Sequence, residues 1–569
     1  MKHGVSAADA SQAPSQELPS GTGRLEGEMP TTHPARRGQH ARRCLIASLL
    51  VLCTTLHALA QQETAPVAVT RSGAVRGTVE HGILTFKGIP YAAPTGGDNR
   101  FRPPRPAAVW ERTRDATAFG PRCPQLPAPS TAAWSSWTEP TEASEDCLSI
   151  NIWTPGLRDG KRRPVMVWLH GGVFSVGSGG TSVYDGTRLA ARGDVVLVSL
   201  NHRLNVFGYL YLAHLNPADY ADSGNVGQLD IIAALKWVRD NIGAFGGDPR
   251  SVMIFGESGG GGKVGALMAM PSAQGLFQRA AMQSGFSVTA ISSGRAMQMT
   301  RSIIAALGLP GNDTLAQLRA LPPERLLAAL QQVTHGMPFG LGPVVDGRAL
   351  PRNPFSPDAP VISGDVPLIV GYNRTETTVL FPPAGVFDLD WPGLTMQLKT
   401  LVPDQDPAPL IAALRKLHPQ ATPSDLYFII TTERTMGANA RAVAERKSAL
   451  MRSPVYLYRL DWRTPVEKGR LRSPHSLDVP MVFDNIARSS SLIGAGAAEA
   501  QSLADVMSIA WIAFARSGSP NAPGLPAWPP FDLRDRATMI FNVTSRAIDD
   551  PSSQERALLA PYTPEPSSP

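Results

Sequence analysis

An α/β fold with a largely parallel central sheet is predicted by three units in which an apolar run opens onto a distinctive loop. The first is Val165-Met166-Val167-Trp168-Leu169, followed by the glycine-rich His170-Gly171-Gly172-Val173-Phe174-Ser175-Val176-Gly177-Ser178-Gly179-Gly180. The second is Ser251-Val252-Met253-Ile254, which leads through Phe255-Gly256-Glu257-Ser258-Gly259-Gly260 into the helical stretch Gly262–Met270. The third is Pro367-Leu368-Ile369-Val370-Gly371-Tyr372, followed by Asn373-Arg374-Thr375-Glu376.

In the first unit a buried strand delivers a glycine loop whose backbone N–H groups can approach a ligand closely. A phosphate-binding loop is the rival reading, but Gly171–Gly180 lacks the Gly-Lys-Ser/Thr ending, and so does Gly260-Gly261-Gly262-Lys263. In the second unit, strand, sharp turn and helix place Ser258 at an apex, the context of a nucleophile elbow. Side chains two residues either side of the serine would clash, which demands the glycines, and the helix N-terminus behind it favours negative charge in front.

A serine hydroxyl becomes a useful nucleophile when a histidine removes its proton and a carboxylate orients that histidine. The chain order on folds with such an elbow is serine, acid, histidine. Glu376 is the best-placed acid, in the loop after the third strand. Asp365 lies at that strand's wrong end, Asp346 and Asp358 in Pro/Gly-rich connections, and Asp388 and Asp390 beyond the first turn. Only His335, His418 and His475 follow Ser258. His418 closes the helical pattern Leu410–Leu417 and reads as a solvated helix end. His475 follows the strand-like Pro454–Trp462 and a polar loop, the loop-on-scaffold setting a base requires.

With these pieces placed, the chain resembles the type-B carboxylesterase family, which includes bacterial para-nitrobenzyl esterases, animal carboxylesterases and cholinesterases. The likeness runs from about Gly73 to about Phe541. It rests on Phe86-Lys87-Gly88-Ile89-Pro90-Tyr91-Ala92, Arg100-Phe101-Arg102-Pro103-Pro104, Ser144-Glu145-Asp146-Cys147-Leu148, Asn201-His202-Arg203-Leu204 and Asn241–Pro249. The resemblance implies one large α/β-hydrolase domain, residues 61–569, with a mixed, mostly parallel sheet and long insertions forming a gorge over the serine. It implies Ser258 as nucleophile, Glu376 as acid, His475 as base, and Gly172, Val173 and Gly259 as oxyanion donors. The expected reaction is hydrolysis of a small-molecule ester through an acyl-serine, which needs neither metal nor organic cofactor. An amidase or acyltransferase would share every motif. A catalytically silent binding protein would typically have lost a member of the triad.

Three departures from the family pattern stand out. The β-branched Val173 replaces a small residue and should crowd esters of bulky tertiary alcohols. Gly259 replaces the commoner alanine and should loosen its donor. Thr375 and Thr377 replace a frequent aspartate and glycine beside Glu376. Trp134 or Trp137 either touches substrate or stands outward as a structural tryptophan. Phe174, Phe286, Leu380 and Phe381 are pocket candidates by nearness to motifs, with core packing as the alternative.

Composition narrows the remaining possibilities. A formal charge of +6 on 569 residues, with basic residues scattered beyond the N-terminus, does not indicate nucleic-acid binding. Arg36, Arg37, Arg42 and Arg43 precede the apolar Cys44–Cys53, and Ala58-Leu59-Ala60 fits signal-peptidase cleavage before Gln61. Residues 1–60 are therefore expected to be a leader for export. The run is too short and too polar at Thr54, Thr55 and His57 for a comfortable membrane span, and Leu52 is too bulky for lipoprotein processing at Cys53. A start at Met29 would leave a signal peptide of ordinary length. Cleavage leaves only Cys123 and Cys147, and two cysteines in an exported chain favour a disulfide over separate thiols. They also match the family's first disulfide.

Overall fold

A computed structural model describes residues 65–563 apart from 128–131, 141, 286–287, 310, 312 and 381. Residues 1–60, the expected leader, and Phe286 and Phe381 thus lie outside the described residues. Eleven strands form the main sheet: β1 (Thr78–Glu80), β2 (Ile83–Pro90), β3 (Ser149–Thr154), β4 (Arg163–Leu169), β5 (Val196–Leu200), β6 (Gly247–Glu257), β7 (Arg279–Gln283), β8 (Leu368–Asn373), β9 (Val455–Leu460), β10 (Ala537–Phe541) and β11 (Arg546–Asp549). Their spatial order is β11-β10-β9-β8-β7-β6-β4-β5-β3-β2-β1. The strands from β10 to β5 run parallel, and the edges turn antiparallel at β11 and from β3 outward. This is the α/β-hydrolase architecture.

The alternation of side chains along β4 and β6 builds two cores. Val165, Val167, Leu169, Val252 and Ile254 enter one, while Met166, Trp168, Met253 and Phe255 enter the other. Both strand faces are covered, so these runs read as continuously apolar. The first face is closed by α1 (Val226–Asn241), α2 (Gly259–Ala269) and α3 (Met436–Ala449), and the second by α4 (Ala497–Ser517). Trp168 anchors the second core, its ring 4.9 Å from those of Tyr184, Phe255 and Phe483. Truncating a buried aromatic of this kind costs about 3–5 kcal/mol.

Strand order also positions the site. The chain passes from β4 outward to β5, then returns across β4 to β6 and continues the other way. The crevice at the C-terminal ends of β4 and β6 is therefore a topological switch point, where open α/β sheets bind ligands. Insertions contribute to the walls. Residues 335–342, between the helix Pro323–Thr334 and the next strand, supply Met337, Pro338 and Phe339. Cys123 and Cys147 are joined by a disulfide that closes the loop carrying Trp134 and Trp137. No helix among the described residues is long and apolar enough to cross a membrane.

Candidate active site

Ser258 sits between β6 and α2 with φ 57° and ψ −123°, a left-handed conformation uncommon for a residue with a side chain. Its N–H donates to the Gln283 carbonyl at 2.8 Å, and its carbonyl starts α2 by accepting from Gly262 N–H at 3.0 Å. A Cβ on Gly256 or on Gly260 would collide with the Leu169 carbonyl at the end of β4. Glycine is thus required on both sides of the serine by close approach to the neighbouring strand.

The glycine loop after β4 turns over this elbow. Gly172 has φ 80° and Val173 φ 57°, the latter a true outlier for a β-branched residue. A Cβ on Gly259 would overlap the Val173 carbonyl. The expected loosening at Gly259 does not follow, because the space an alanine methyl would take is filled by backbone. Among the described residues the N–H groups of Gly172, Val173 and Gly259 meet no protein acceptor.

Glu376 and His475 meet from loops 99 residues apart, His475 Nδ1 lying 2.5 Å from Glu376 Oε2. Both are buried, as is Ser258. Glu376 opens a short helical turn after β8, and its Oε1 accepts from Ser284 Oγ at 2.5 Å and from the Asn373 N–H at 2.6 Å. The acid loop and the histidine loop are laced together. Thr375 N–H donates to the Ser473 carbonyl at 3.0 Å, Ser473 N–H returns to Thr375 Oγ1 at 2.9 Å, and Asn373 Nδ2 donates to the Pro474 carbonyl at 2.8 Å. Thr377 pairs with Thr431 at 2.6 Å. The threonines flanking Glu376 thus fasten it to its surroundings.

His475 Nε2 lies 3.1 Å from Glu257 Oε1, without the alignment of a hydrogen bond, and no hydrogen bond joins it to Ser258 Oγ among the described residues. Burial alone would lower the pKa of His475; the Glu257 and Glu376 carboxylates outweigh it and raise the imidazolium to about 9. Burial raises Glu257 to about 7, with His475 pulling down and Asp478 pushing up, while Ser476 Oγ donates to it at 2.7 Å. Asp478, raised mainly by burial, accepts from Tyr458 at 2.6 Å and Gln283 at 2.9 Å.

Ser258 and His475 open into a cavity of about 680 Å³ walled by Trp134, Trp137, Tyr184, Met337, Phe339 and Leu380. Trp137 is held by its Nε1 donating to Ser489 Oγ at 3.0 Å. Phe174 does not line this cavity. The turn at Val173 sends its ring toward Tyr209, 5.4 Å away, into a separate apolar cluster. His418 caps the helix Ala408–Leu417 as expected, yet it is not simply solvated, since Nε2 lies 2.6 Å from the buried Glu555. His335 caps a different helix. Sequence reasoning passed over Glu257, Ser284 and Asp478. A carboxylate immediately before the apex serine, at a buried strand end, was the available signal for the first. No group of three or more His, Cys, Asp or Glu residues poised for a metal occurs among the described residues.

The carboxylesterase family model matches residues 64–385 and 415–558. The para-nitrobenzyl esterase of Bacillus subtilis is 37% identical over 505 residues, covering 88% of this chain and 99% of that protein. The phenmedipham hydrolase of Pseudarthrobacter oxydans is 34% identical over 493 residues, covering 84% and 95%. Among solved structures, a carboxylesterase of Geobacillus stearothermophilus superposes with a TM-score of 0.76 at 38% identity, covering 86% of this chain and 99% of that one. The chain belongs to the carboxylesterase family and is a carboxylic ester hydrolase.

Proposed function

We propose that hydrolysis runs through an acyl-enzyme on Ser258, with His475 as general base and acid, Glu376 as its orienting carboxylate, and the N–H groups of Gly172, Val173 and Gly259 as the oxyanion hole. The contact between Glu376 and His475 Nδ1, with His475 and Ser258 lining one cavity, is the observation that carries this reading. Nδ1 is held by Glu376 and His475 shares a cavity with Ser258, so this reading requires Nε2 to turn from Glu257 to Ser258 Oγ when substrate binds. Ground-state contacts of this kind commonly tighten only when substrate is bound. Ser258 Oγ then attacks the ester carbonyl as His475 accepts its proton, and three backbone donors receive the developing oxyanion, each worth roughly 3 kcal/mol. His475 returns the proton to the leaving alcohol, and water repeats the cycle to release the acid.

Val173 projects its branched side chain beside this centre, which supports a preference for esters of primary and secondary alcohols over tertiary ones. The apolar cavity wall supports neutral esters with aryl or alkyl groups. Export is part of the same reading, supported by the arginine pairs, the apolar run and Ala58-Leu59-Ala60, and consistent with a disulfide. Ser258→Ala should stay folded and lose hydrolysis of p-nitrophenyl acetate; retained activity would remove Ser258 from the mechanism. Matched anilides and added alcohols in the same assay separate esterase from amidase and transferase. Mass analysis of the secreted protein should find Gln61 at its N-terminus.

A further inference from the structure

Directly beneath the glycine loop lies a cation that the chemistry above does not use. Lys263 stands near the start of α2, five residues beyond Ser258, and is 0% exposed. Its ammonium donates to the His170 carbonyl at 2.7 Å and reaches the Gly171 carbonyl at 3.4 Å. Among the described residues no carboxylate forms an ion pair with it. Nζ lies 5.8 Å from the centre of the Phe174 ring. Nearby, the imidazoles of His170 and His202 stack 4.8 Å apart, both held neutral by burial and by the Lys263 charge.

Such a placement is costly. Desolvation of an ammonium without a counter-ion is strongly unfavourable, and the N-terminal end of a helix disfavours a cation further. Burial lowers the Lys263 pKa to about 7, with only the Glu257 carboxylate opposing. An apolar side chain would fill the same space without this penalty. The neighbouring glycines serve the same contact, since a Cβ on Gly259 or Gly260 would collide with the Val173 or Leu169 carbonyl. Their absence of side chains lets α2 lie flush against the loop and carries Lys263 to its underside.

The carbonyl of Gly171 and the N–H of Gly172 belong to one planar peptide unit. A hydrogen-bond donor on the carbonyl fixes the plane and polarises the N–H at its other edge. We propose that Lys263 is a positioning residue for the oxyanion hole: its Nζ donor clamps the 170–172 backbone from below, aiming the Gly172 N–H at the acyl oxygen and strengthening it as a donor. The inference rests on the assignment of Gly172, Val173 and Gly259 as oxyanion donors.

The test uses Lys263→Met, which keeps the length without the charge, and Lys263→Gln, which keeps a donor. Circular dichroism and Tm establish folding, and kinetics use p-nitrophenyl acetate. The inhibition constant of an aryl trifluoromethyl ketone is measured alongside, because its tetrahedral adduct places an oxyanion in the same hole. The clamp predicts a kcat at least about tenfold lower in Lys263→Met with KM within about twofold, since only the transition state uses the donor. It predicts an inhibition constant raised by a similar factor, and partial recovery of both in Lys263→Gln. A folded Lys263→Met with kcat near wild type overturns the proposal. A fall in kcat with no change in inhibitor affinity overturns it, as does failure of both variants to fold, since Lys263 is then a prop of the core. Hydrolysis surviving in Ser258→Ala would instead sink the assignment of the site, whatever the Lys263 variants do.

Discussion

The two halves of the site are held by different physics. The serine half, comprising the elbow and the glycine loop, is set by backbone contact: Gly256 and Gly260 against the Leu169 carbonyl, Gly259 against that of Val173. The acid–histidine half is set by side chains. Ser284 and Asn373 grip Glu376, Thr375 ties its loop to Ser473, and Glu257 and Asp478 surround the imidazole. Steric contact between backbones tolerates almost no change, whereas a hydrogen-bond network spreads its load over several partners. The serine half should therefore fail abruptly on small substitutions, and the acid–histidine half should fail by degrees, except at the histidine itself.

That exception gives the largest effect. His475→Gln removes the proposed base and should lower kcat on the order of 10⁴-fold, with a lower Tm from the buried carboxylates it leaves unpaired, as measured by steady-state kinetics and calorimetry. Next comes Gly260→Ala. A single methyl against the Leu169 carbonyl should displace Ser258 and cost about a hundredfold or more in kcat, together with about 1–3 kcal/mol of stability. Ser284→Ala probes the other half, through a partner of Glu376. Glu376 keeps the Asn373 N–H and the His475 contact, so the loss should stay near about tenfold. A costlier Ser284→Ala than Gly260→Ala would reverse the comparison.

The network also predicts a pH dependence. His475 must be neutral to accept a proton, and its pKa is raised from 6.5 to about 9 by Glu257 and Glu376 against the opposing effect of burial. The rising limb of kcat/KM should accordingly lie above the ordinary imidazole range. Glu257→Gln removes one of the two carboxylates responsible and should move that limb toward lower pH, increasing activity at neutral pH. The linked stability has the opposite trend. The gain from pairing a protonated His475 is fully present below 6.5 and is lost as pH rises through about 9, which a Tm series in wild type and Glu257→Gln would reveal. An unchanged limb in Glu257→Gln would remove Glu257 from the network. The smallest effect on catalysis is expected from paired Cys123→Ser and Cys147→Ser. They release a loop at the cavity wall, lowering stability by roughly 3 kcal/mol while leaving kcat nearly intact.

The same contrast governs how much could be read from the chain. The turn at Ser258 and the loop at Gly171–Gly180 are legible because local sterics demand glycine within a few residues of the group they serve. The apolar runs that became β4, β6 and β8 are legible because strands buried on both faces are continuously apolar. Glu376 and His475 were reached only by chain order and elimination, since a side-chain contact between loops 99 residues apart leaves no local pattern. Ser284, Asp478 and Lys263 carry no signal at all: each is an ordinary residue in a strand end or helix until partners arrive from elsewhere. Phe174 shows the opposite hazard. Nearness to the glycine loop suggested the pocket, but the backbone reversal at Val173 turned it into an apolar cluster with Tyr209.

Both halves have to converge on one oxygen atom for the account to hold. A p-nitrophenyl alkylphosphonate, which forms a stable adduct with an activated serine, tests this directly when the protein is digested and mapped by mass spectrometry. The prediction is one equivalent of adduct on the peptide containing Ser258, formed rapidly in wild type and slowed severely in His475→Gln. Adduct on another residue, or equal labelling rates in the two proteins, would contradict it.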